Sequence, residues 1–196
     1  MSDGTAEGDM DRDLVTRVQE GDRQAFEALA LQSHTRLQTV AIGILRDPHL
    51  AEDAVQQAML AMWQDIGRLR DPDRFEGWSY RLLIRICHAE AKRRRIRQAA
   101  VPIEAAAEPE AGDAYAAVIR RDQLERAFAR LSIEQRTIIV LHHLMDMTLD
   151  RVAEVLEIPQ GTAYSRISRA MEAMRAAIEA DARHVAAPSA RQGVTR

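Results

Sequence analysis

The most constraining feature of the sequence is the stretch of residues 148–175, TLDRVAEVLEIPQGTAYSRISRAMEAMR. In each of its halves, apolar residues recur at intervals of three and four, as they do along one face of an α-helix. Pro159 cannot continue the first helix, and Gly161 permits the tight reversal that we predict before the second. The stretch therefore predicts a helix-turn-helix, in which the second helix normally enters the DNA major groove.

The outward face of this predicted second helix carries hydroxyl and guanidinium groups. Arginine suits guanine edges and phosphates, and hydroxyl groups suit either. A short helical hairpin with a solvated basic face is the alternative on periodicity alone, because such hairpins are common. The candidate DNA-binding residues of the helix are Thr162, Tyr164, Ser165, Arg166, Ser168 and Arg169.

The rest of the chain is also predicted to be helical. Aromatic residues make up only 4% of the sequence, and abundant Ala, Leu, Arg and Glu favour helices over strands. Asp47-Pro48 predicts one helix start, and Ser132 with Gln135 predicts a capping box at another. The fold class is therefore all-α.

A shift in composition divides the chain into two small helical domains. Residues 98–115 are rich in Ala, Glu and Pro, which predicts a flexible acidic linker. We predict a disordered leader over residues 1–12, a first domain over 13–97, a second domain over 116–178, and a disordered tail over 179–196.

The first domain ends in a strongly basic run, although the net charge of the whole chain is -3. Residues 92–97 include five cations in six positions, which exceeds what the end of a helix requires and favours contact with phosphates. Aromatic residues just upstream can stack on unpaired bases, although core packing is the alternative and is favoured for Trp78. The candidates in this region are Phe75, Trp78, Arg81, Arg85, Lys92, Arg93, Arg94 and Arg95.

Several functional classes are not supported by the sequence. The lone Cys87 excludes an internal disulfide and fits a reducing compartment, and no apolar run is long enough to span a membrane. His142 and His143 are adjacent, so they point to different sides of a helix and do not form a metal site. We expect a soluble cytoplasmic protein that is not an enzyme, with no catalytic residue, metal, cofactor or small-molecule substrate.

Taken together, these motifs resemble the extracytoplasmic-function sigma factors, which are promoter-recognition subunits of bacterial RNA polymerase. LSIEQRTIIVLHHLMDMTLDRVAEVLEIPQGTAYSRISRAMEAMR is similar to region 4 of that family. GDRQAFEAL, DPHLAEDAVQQAMLAMW and FEGWSYRLLIRICHAEAKRRR are similar to region 2, in order and spacing. The resemblance covers residues 13–97 and 116–178.

The resemblance implies partners for surfaces that the residues alone left open. The basic helix with the loop before it would capture the melted strand of the −10 element, and the helix beginning near Thr162 would read the −35 duplex. The partners implied are core RNA polymerase, through its clamp coiled coil and its flap, promoter DNA, and an anti-sigma factor. The residues that would dock on the clamp, whose solvation is the alternative, are Glu52, Asp53, Gln56 and Gln57.

Some residues depart from the usual pattern of the family. Gln57 replaces an acidic residue and Met59 replaces a phenylalanine. These two departures affect the expected strength of the clamp contact and not its location. Tyr164 stands where a cation is common, and Arg151 replaces a glutamate and adds a candidate phosphate contact. Two other functions are open: a stand-alone helix-turn-helix regulator, and a sigma-like protein that occupies polymerase without initiating transcription.

Overall fold

A computed structural model describes the backbone of residues 4–99 and 117–186, and the side chains of residues 11–97 and 124–181. Within those ranges the chain is helical and contains no strand, as the sequence predicted. The helices are α1 (Gly4–Gln19), α2 (Arg23–Leu45), α3 (Pro48–Asp65), α4 (Phe75–Ala99), α5 (Ala117–Arg130), α6 (Ile133–Ile139), α7 (Leu149–Leu156) and α8 (Gln160–Ala186).

Side-chain caps fix where several helices begin. The carboxylate of Asp47 accepts hydrogen bonds from the amides of His49 and Leu50, and Pro48 occupies the first position of α3. Ser132 and Gln135 form the reciprocal capping box of α6. Both predicted helix starts are confirmed, because each depends on contacts between residues that are close in sequence.

Helices α1 to α4 form the first domain around an apolar core. Helix α3 packs against both α2 and α4, and α1 packs against α2. The core side chains come from inward stripes at helical spacing, among them Leu37, Ile44, Val55, Met62 and Leu83, each at most 1% exposed. The packing leaves the opposite faces of α3 and α4 at the surface.

Helices α5 to α8 form the second domain. Helices α6 and α7 pack on the first part of α8, and α5 packs along α8 as well. Asp181, near the far end of α8, is 5% exposed and forms ion pairs with Arg126, at 3.5 Å, and with Arg130 of α5. The long helix α8 therefore joins the helix-turn-helix to α5.

The two domains pack against each other in one arrangement. Helix α2 contacts α6 and the π-helical turn of residues 140–144 that follows it, and α4 contacts α7. The helices approach closely at Gly43, where an added Cβ would lie 2.7 Å from Cγ2 of the buried Val140. Only a residue without a side chain fits there at this spacing.

The structure corrects several predicted boundaries. Helix α1 begins at Gly4, within the segment predicted as a leader, and α8 continues to Ala186, well into the predicted tail. Helix α4 begins at Phe75, although the stretch through Gly77 has the composition of a loop. Residues 100–116, most of the predicted linker, and residues 187–196 lie outside the described part of the chain.

Candidate DNA and polymerase interfaces

The turn between α7 and α8 gives the helix-turn-helix its geometry. Glu157 adopts the left-handed conformation, with φ at 54°, and its amide donates to the carbonyls of Ala153 and Glu154. We predicted that Gly161 would provide the reversal, and this was wrong: Gly161 lies inside α8. The chain reverses at the C-terminal cap of α7, which is the usual position for a left-handed residue.

The predicted reading face of α8 is exposed opposite an apolar stripe. Ala163, Ile167 and Ala170 are buried against the rest of the domain, whereas Tyr164 is 54% exposed. Thr162 and Ser165 are half-buried, while Arg166, Ser168 and Arg169 are exposed. The structure therefore brings all six predicted residues to the first three turns of one helix.

The two arginines of this face differ in how they are held. Nη2 of Arg169 donates to Oγ of Ser165 at 3.2 Å, and its Nε donates to the Ser165 carbonyl at 3.2 Å. Among the described residues Arg166 has no hydrogen-bond or ion-pair partner, and with Arg169 it borders a shallow cavity beside Glu134. Arg169 is thus oriented by its own helix, while Arg166 is free to extend towards a base edge or a phosphate.

Helix α4 presents most of its predicted cations to solvent. Arg93 pairs with Glu90 at 3.3 Å, and Arg94 pairs with Asp47 at 3.0 Å. In the described ranges Arg85, Lys92 and Arg95 are exposed and form no ion pair. Because exposed pairs such as these contribute only about 0–1 kcal/mol, the phosphates of a nucleic acid can displace them.

Arg81 is placed differently from the other cations of α4. Its Nε lies 3.6 Å from the carboxylate of Glu157, and its Nη1 lies 3.5 Å from the carbonyl oxygen of Glu154. Arg151 of α7 makes the reciprocal contact, 3.6 Å from Glu76 at the start of α4. In this arrangement both arginines hold the two domains together.

The aromatic residues near the start of α4 are less available than the sequence suggested. Phe75 is 1% exposed, and its ring centroid lies 6.0 Å from that of the half-buried Trp78. Tyr80 is also buried, which raises the pKa of its hydroxyl to about 12. Phe75 is a core residue here because α4 begins at that position and turns the ring inward, so stacking on a base would require its release.

The polar face of α3 is exposed at all four predicted residues, Glu52, Asp53, Gln56 and Gln57. Two apolar side chains lie on the same side of the helix: Leu60 is 63% exposed and Trp63 is 41% exposed. Trp63 is held in place by an edge-to-face contact with Phe26, with ring centroids 4.9 Å apart. Helical spacing places Trp63 on the apolar stripe of α3 and therefore predicts a core residue, whereas Leu60, four residues after Gln56, lies on the polar face.

Comparison with known proteins agrees with this division of the chain. Residues 29–97 match the family Sigma-70 region 2, and residues 121–174 match Sigma-70, region 4. The ECF RNA polymerase sigma factor SigM of Mycobacterium tuberculosis is 30% identical over 166 residues, which cover 82% of this chain and 80% of that protein. This chain belongs to the family of extracytoplasmic-function (ECF) sigma factors.

Other ECF and related sigma factors resemble this one over most of their length. The RNA polymerase sigma-H factor of Pseudomonas aeruginosa is 29% identical over 183 residues, covering 87% of this chain and 95% of that protein. Among solved structures, CnrH in complex with the cytosolic domain of CnrY has a TM-score of 0.62 at 23% identity, covering 88% of this chain and 99% of CnrH. The sigma factor RpoE of Bartonella quintana, solved with the anti-sigma factor NepR, has a TM-score of 0.61 at 23% identity, covering 80% and 98%.

The family assignment and the structure together define the general character of this sigma factor. Sigma factors act in transcription initiation and are not known as enzymes. In the described ranges, no helix is both long and apolar enough to cross a membrane.

Proposed function

We propose that this ECF sigma factor binds core RNA polymerase through the exposed face of α3 and directs it to promoters with two DNA-binding surfaces. The exposed face of α8 reads the −35 duplex, and the cations of α4 bind the backbone of the −10 element. The observation that supports the proposal is that a chain of this family exposes cations along α4 and hydroxyl and guanidinium groups along α8. The protein would act in the cytoplasm, where core polymerase is found.

The −35 contacts follow from the chemistry of the exposed side chains. Arg166 can donate two parallel hydrogen bonds to O6 and N7 of guanine, or to a phosphate. Tyr164 and Ser168 flank it on the exposed side of α8 and can bind the sugar-phosphate backbone. The domain that carries these side chains would also contact the polymerase flap.

The polymerase contact on α3 combines polar and apolar groups. A protein interface typically has an apolar centre within a polar rim, and Leu60 and Trp63 provide that centre beside the four polar residues. Because Gln57 and Met59 replace the residues usual in the family, the two exposed apolar groups become important for affinity.

Simultaneous binding of both promoter elements would require the two domains to separate. Elements named for positions −35 and −10 are roughly 25 base pairs apart, on the order of 85 Å at 3.4 Å per base pair. A compact chain of this length has a radius of gyration of about 16 Å. The observed contact between α4 and α7 is therefore incompatible with promoter binding by both domains.

A partner that holds the factor inactive is also part of this proposal. Both similar solved structures are complexes, one of CnrH with the cytosolic domain of CnrY and one of RpoE with the anti-sigma factor NepR. We infer that an anti-sigma factor binds this chain too.

Run-off transcription with bacterial core polymerase on a library of genomic promoter fragments tests the function directly. We expect discrete transcripts only when the protein is added. Leu60→Asp should weaken both the transcripts and the capture of core polymerase. Leu31→Asp, a control at a leucine that is 80% exposed on α2, should leave both unchanged. Binding of core without transcripts would instead indicate a polymerase-occluding protein, and DNA binding without core would indicate a stand-alone regulator.

The reading role of Arg166 has a matched control on the same helix. Arg166→Ala should weaken binding to the −35 element by roughly 1–3 kcal/mol and relax preference at one base position. Arg175→Ala removes an equal charge from an exposed position two turns further along α8 and should leave base preference unchanged. Competition binding with −35 duplexes substituted one base pair at a time measures both effects.

A further inference from the structure

A cavity between the two domains is not explained by promoter or polymerase binding. It has a volume of about 810 Å³ and lies between α4 and the start of α6. This volume is within the range of small-molecule sites. Its lining includes four cations, one carboxylate and five aliphatic side chains.

The cationic side of the cavity carries charge that the described residues do not neutralise. Lys92, Arg94 and Arg95 come from α4, and Arg136 comes from α6. Of these, only Arg94 has an ion-pair partner among the described residues, Asp47 at 3.0 Å. The cavity is therefore electropositive and is shared between the two domains.

Arg136 is the most unusual of these cations. Its Nε atom is buried and has no hydrogen-bond partner in the structure. Burial lowers the pKa of Arg136, and the nearby Arg46 and Arg94 lower it further. The guanidinium of Arg136 has no ion-pair partner among the described residues, and an anion in the cavity would bind at its Nη atoms, which are not among the buried atoms.

One carboxylate faces the same cavity. Glu134 accepts a hydrogen bond from the Ser132 hydroxyl at 2.8 Å, and its pKa is lowered by hydrogen bonds to a backbone amide and to Ser132. It is therefore ionised at neutral pH, and its single negative charge leaves the four cations in excess.

Part of the cavity lining, here called the aliphatic floor, is apolar. Its side chains come from the end of α2, from α3 and α4, and from the segment between α5 and α6 together with the first residue of α6. These residues are Leu45, Leu50, Ala91, Leu131 and Ile133. Aliphatic groups suit the flat face of an organic ring better than they suit a bare inorganic ion.

We propose that this cavity binds a phosphate-bearing small molecule with a ring-containing body, of the nucleotide class. Its phosphates lie against Arg95, Arg136 and Lys92, and its ring lies on the aliphatic floor. Arginine binds phosphate with paired hydrogen bonds, which Arg136 would donate from its two Nη atoms.

The position of the cavity gives the ligand a regulatory effect. A bound molecule contacts α4 of the first domain and α6 of the second, so it stabilises the arrangement in which the domains pack together. It also occupies Lys92 and Arg95, two cations proposed to bind promoter phosphates. Ligand binding and promoter binding therefore compete.

Isothermal titration of the full chain with ADP, at constant ionic strength, tests the site. We expect saturable binding of one ADP per chain, with weaker binding of pyrophosphate, which has the charge but no ring. Arg136→Gln should reduce ADP affinity about tenfold or more, because a charge-assisted hydrogen bond is lost. Arg95→Gln, at an exposed position that cannot disturb the fold, should also reduce it.

Arg97→Gln is the matched control. Arg97 belongs to the same basic run but pairs with Glu90 at 2.7 Å and does not line the cavity. ADP affinity should be unchanged in this variant. Absence of ADP binding, or an equal loss in all three variants, would overturn the proposed site; equal affinity for pyrophosphate and ADP would overturn the role of the apolar floor. Capture of core polymerase in buffer without nucleotides reports the proposed function separately.

Discussion

At the scale of single residues, His88 links the two domains through one hydrogen bond. Its Nε2 lies 2.9 Å from Oγ1 of Thr137, whose hydroxyl donates to the carbonyl of Ile133. The Thr137 oxygen is therefore the acceptor, and His88 donates. Burial lowers the pKa of His88, an effect that Glu134 opposes and Arg166 reinforces.

The lowered pKa of His88 predicts a loss of stability in acid. Unfolded His88 binds a proton near pH 6.5, whereas the folded protein binds it only at lower pH. As pH falls below about 6.5, the unfolded state gains a proton that the folded state does not, so the free energy of unfolding decreases. His88→Gln retains a donor without this titration. We expect a flatter decline in its urea midpoint between pH 7.5 and 5.5; parallel curves for both proteins would contradict the assignment.

At the same scale, substitution of Gly43 should lower the stability of the protein. Gly43→Ala would place Cβ 2.7 Å from Cγ2 of Val140, a buried and conformationally stiff side chain. Overpacking costs about 1–3 kcal/mol, and this exceeds the helix-propensity gain of about 1 kcal/mol. Gly161→Ala is the control, since nothing lies within 4 Å of its added Cβ, and it should stabilise the protein by about 0.4–1 kcal/mol. Urea unfolding should show the two substitutions acting in opposite directions.

At the scale of helices and turns, local rules explain what the sequence predicted and what it did not. The caps at Asp47 and Ser132 were predictable because each involves residues two or three positions apart. The turn before α8 was placed correctly, but its left-handed residue is Glu157 and not the expected glycine. The cost of that conformation in a non-glycine residue is offset by the packing of α7 against α8, which a local pattern does not reveal.

Two substitutions of Asp47 should separate the contribution of its N-cap to stability from the contribution of its charge. It caps α3, and it also pairs with Arg94 at 3.0 Å; the amide of Leu50 is the largest cause of the lowering of its pKa. Asp47→Ala should destabilise the protein by about 0.5–2 kcal/mol, the usual effect of losing an N-cap. Asp47→Asn keeps a capping oxygen and removes only the charge, so its effect should be much smaller. If chemical denaturation gives equal losses for both, the ion pair and not the cap is the main contribution.

At the scale of the whole molecule, ion pairs and an apolar contact join the domains, in addition to the hydrogen bond of His88. The ion pairs of Arg81 with Glu157 and Arg151 with Glu76 are partly exposed, and such pairs contribute about 0–1 kcal/mol each. The apolar contact around Val140 and Leu141 is buried, and burial of one such side chain contributes about 1.5–3 kcal/mol. The apolar contact is therefore the larger contribution.

This comparison predicts which substitutions separate the domains. Arg81→Gln with Arg151→Gln should leave the radius of gyration nearly unchanged, whereas Gly43→Leu should increase it by inserting a bulky side chain against Val140. Small-angle X-ray scattering measures the change, with circular dichroism to establish that both variants keep their helices. Expansion of the double glutamine variant to the same extent would show that the ion pairs dominate.

Contacts between the domains also mark the limit of the sequence analysis. The exposed faces of α3, α4 and α8 could be predicted because helical periodicity separates apolar from polar residues within each helix. The partners of Arg81 and Arg151 could not, because they lie 73 to 76 positions apart in the chain: Arg81 from Glu154 and Glu157, and Arg151 from Glu76. The burial of Phe75 depends in the same way on how helices pack together.

The length of α8 has a mechanical consequence. From Arg166 to Asp181, where it is paired to α5, the helix spans about 22 Å at 1.5 Å per residue, and it acts as a rigid lever. A tilt of about ten degrees at the α5 end would move Arg166 by about 4 Å, more than the 3.4 Å step between base pairs. If α8 reads the −35 duplex as proposed, its alignment with the bases therefore depends on a salt-bridged joint far from the DNA.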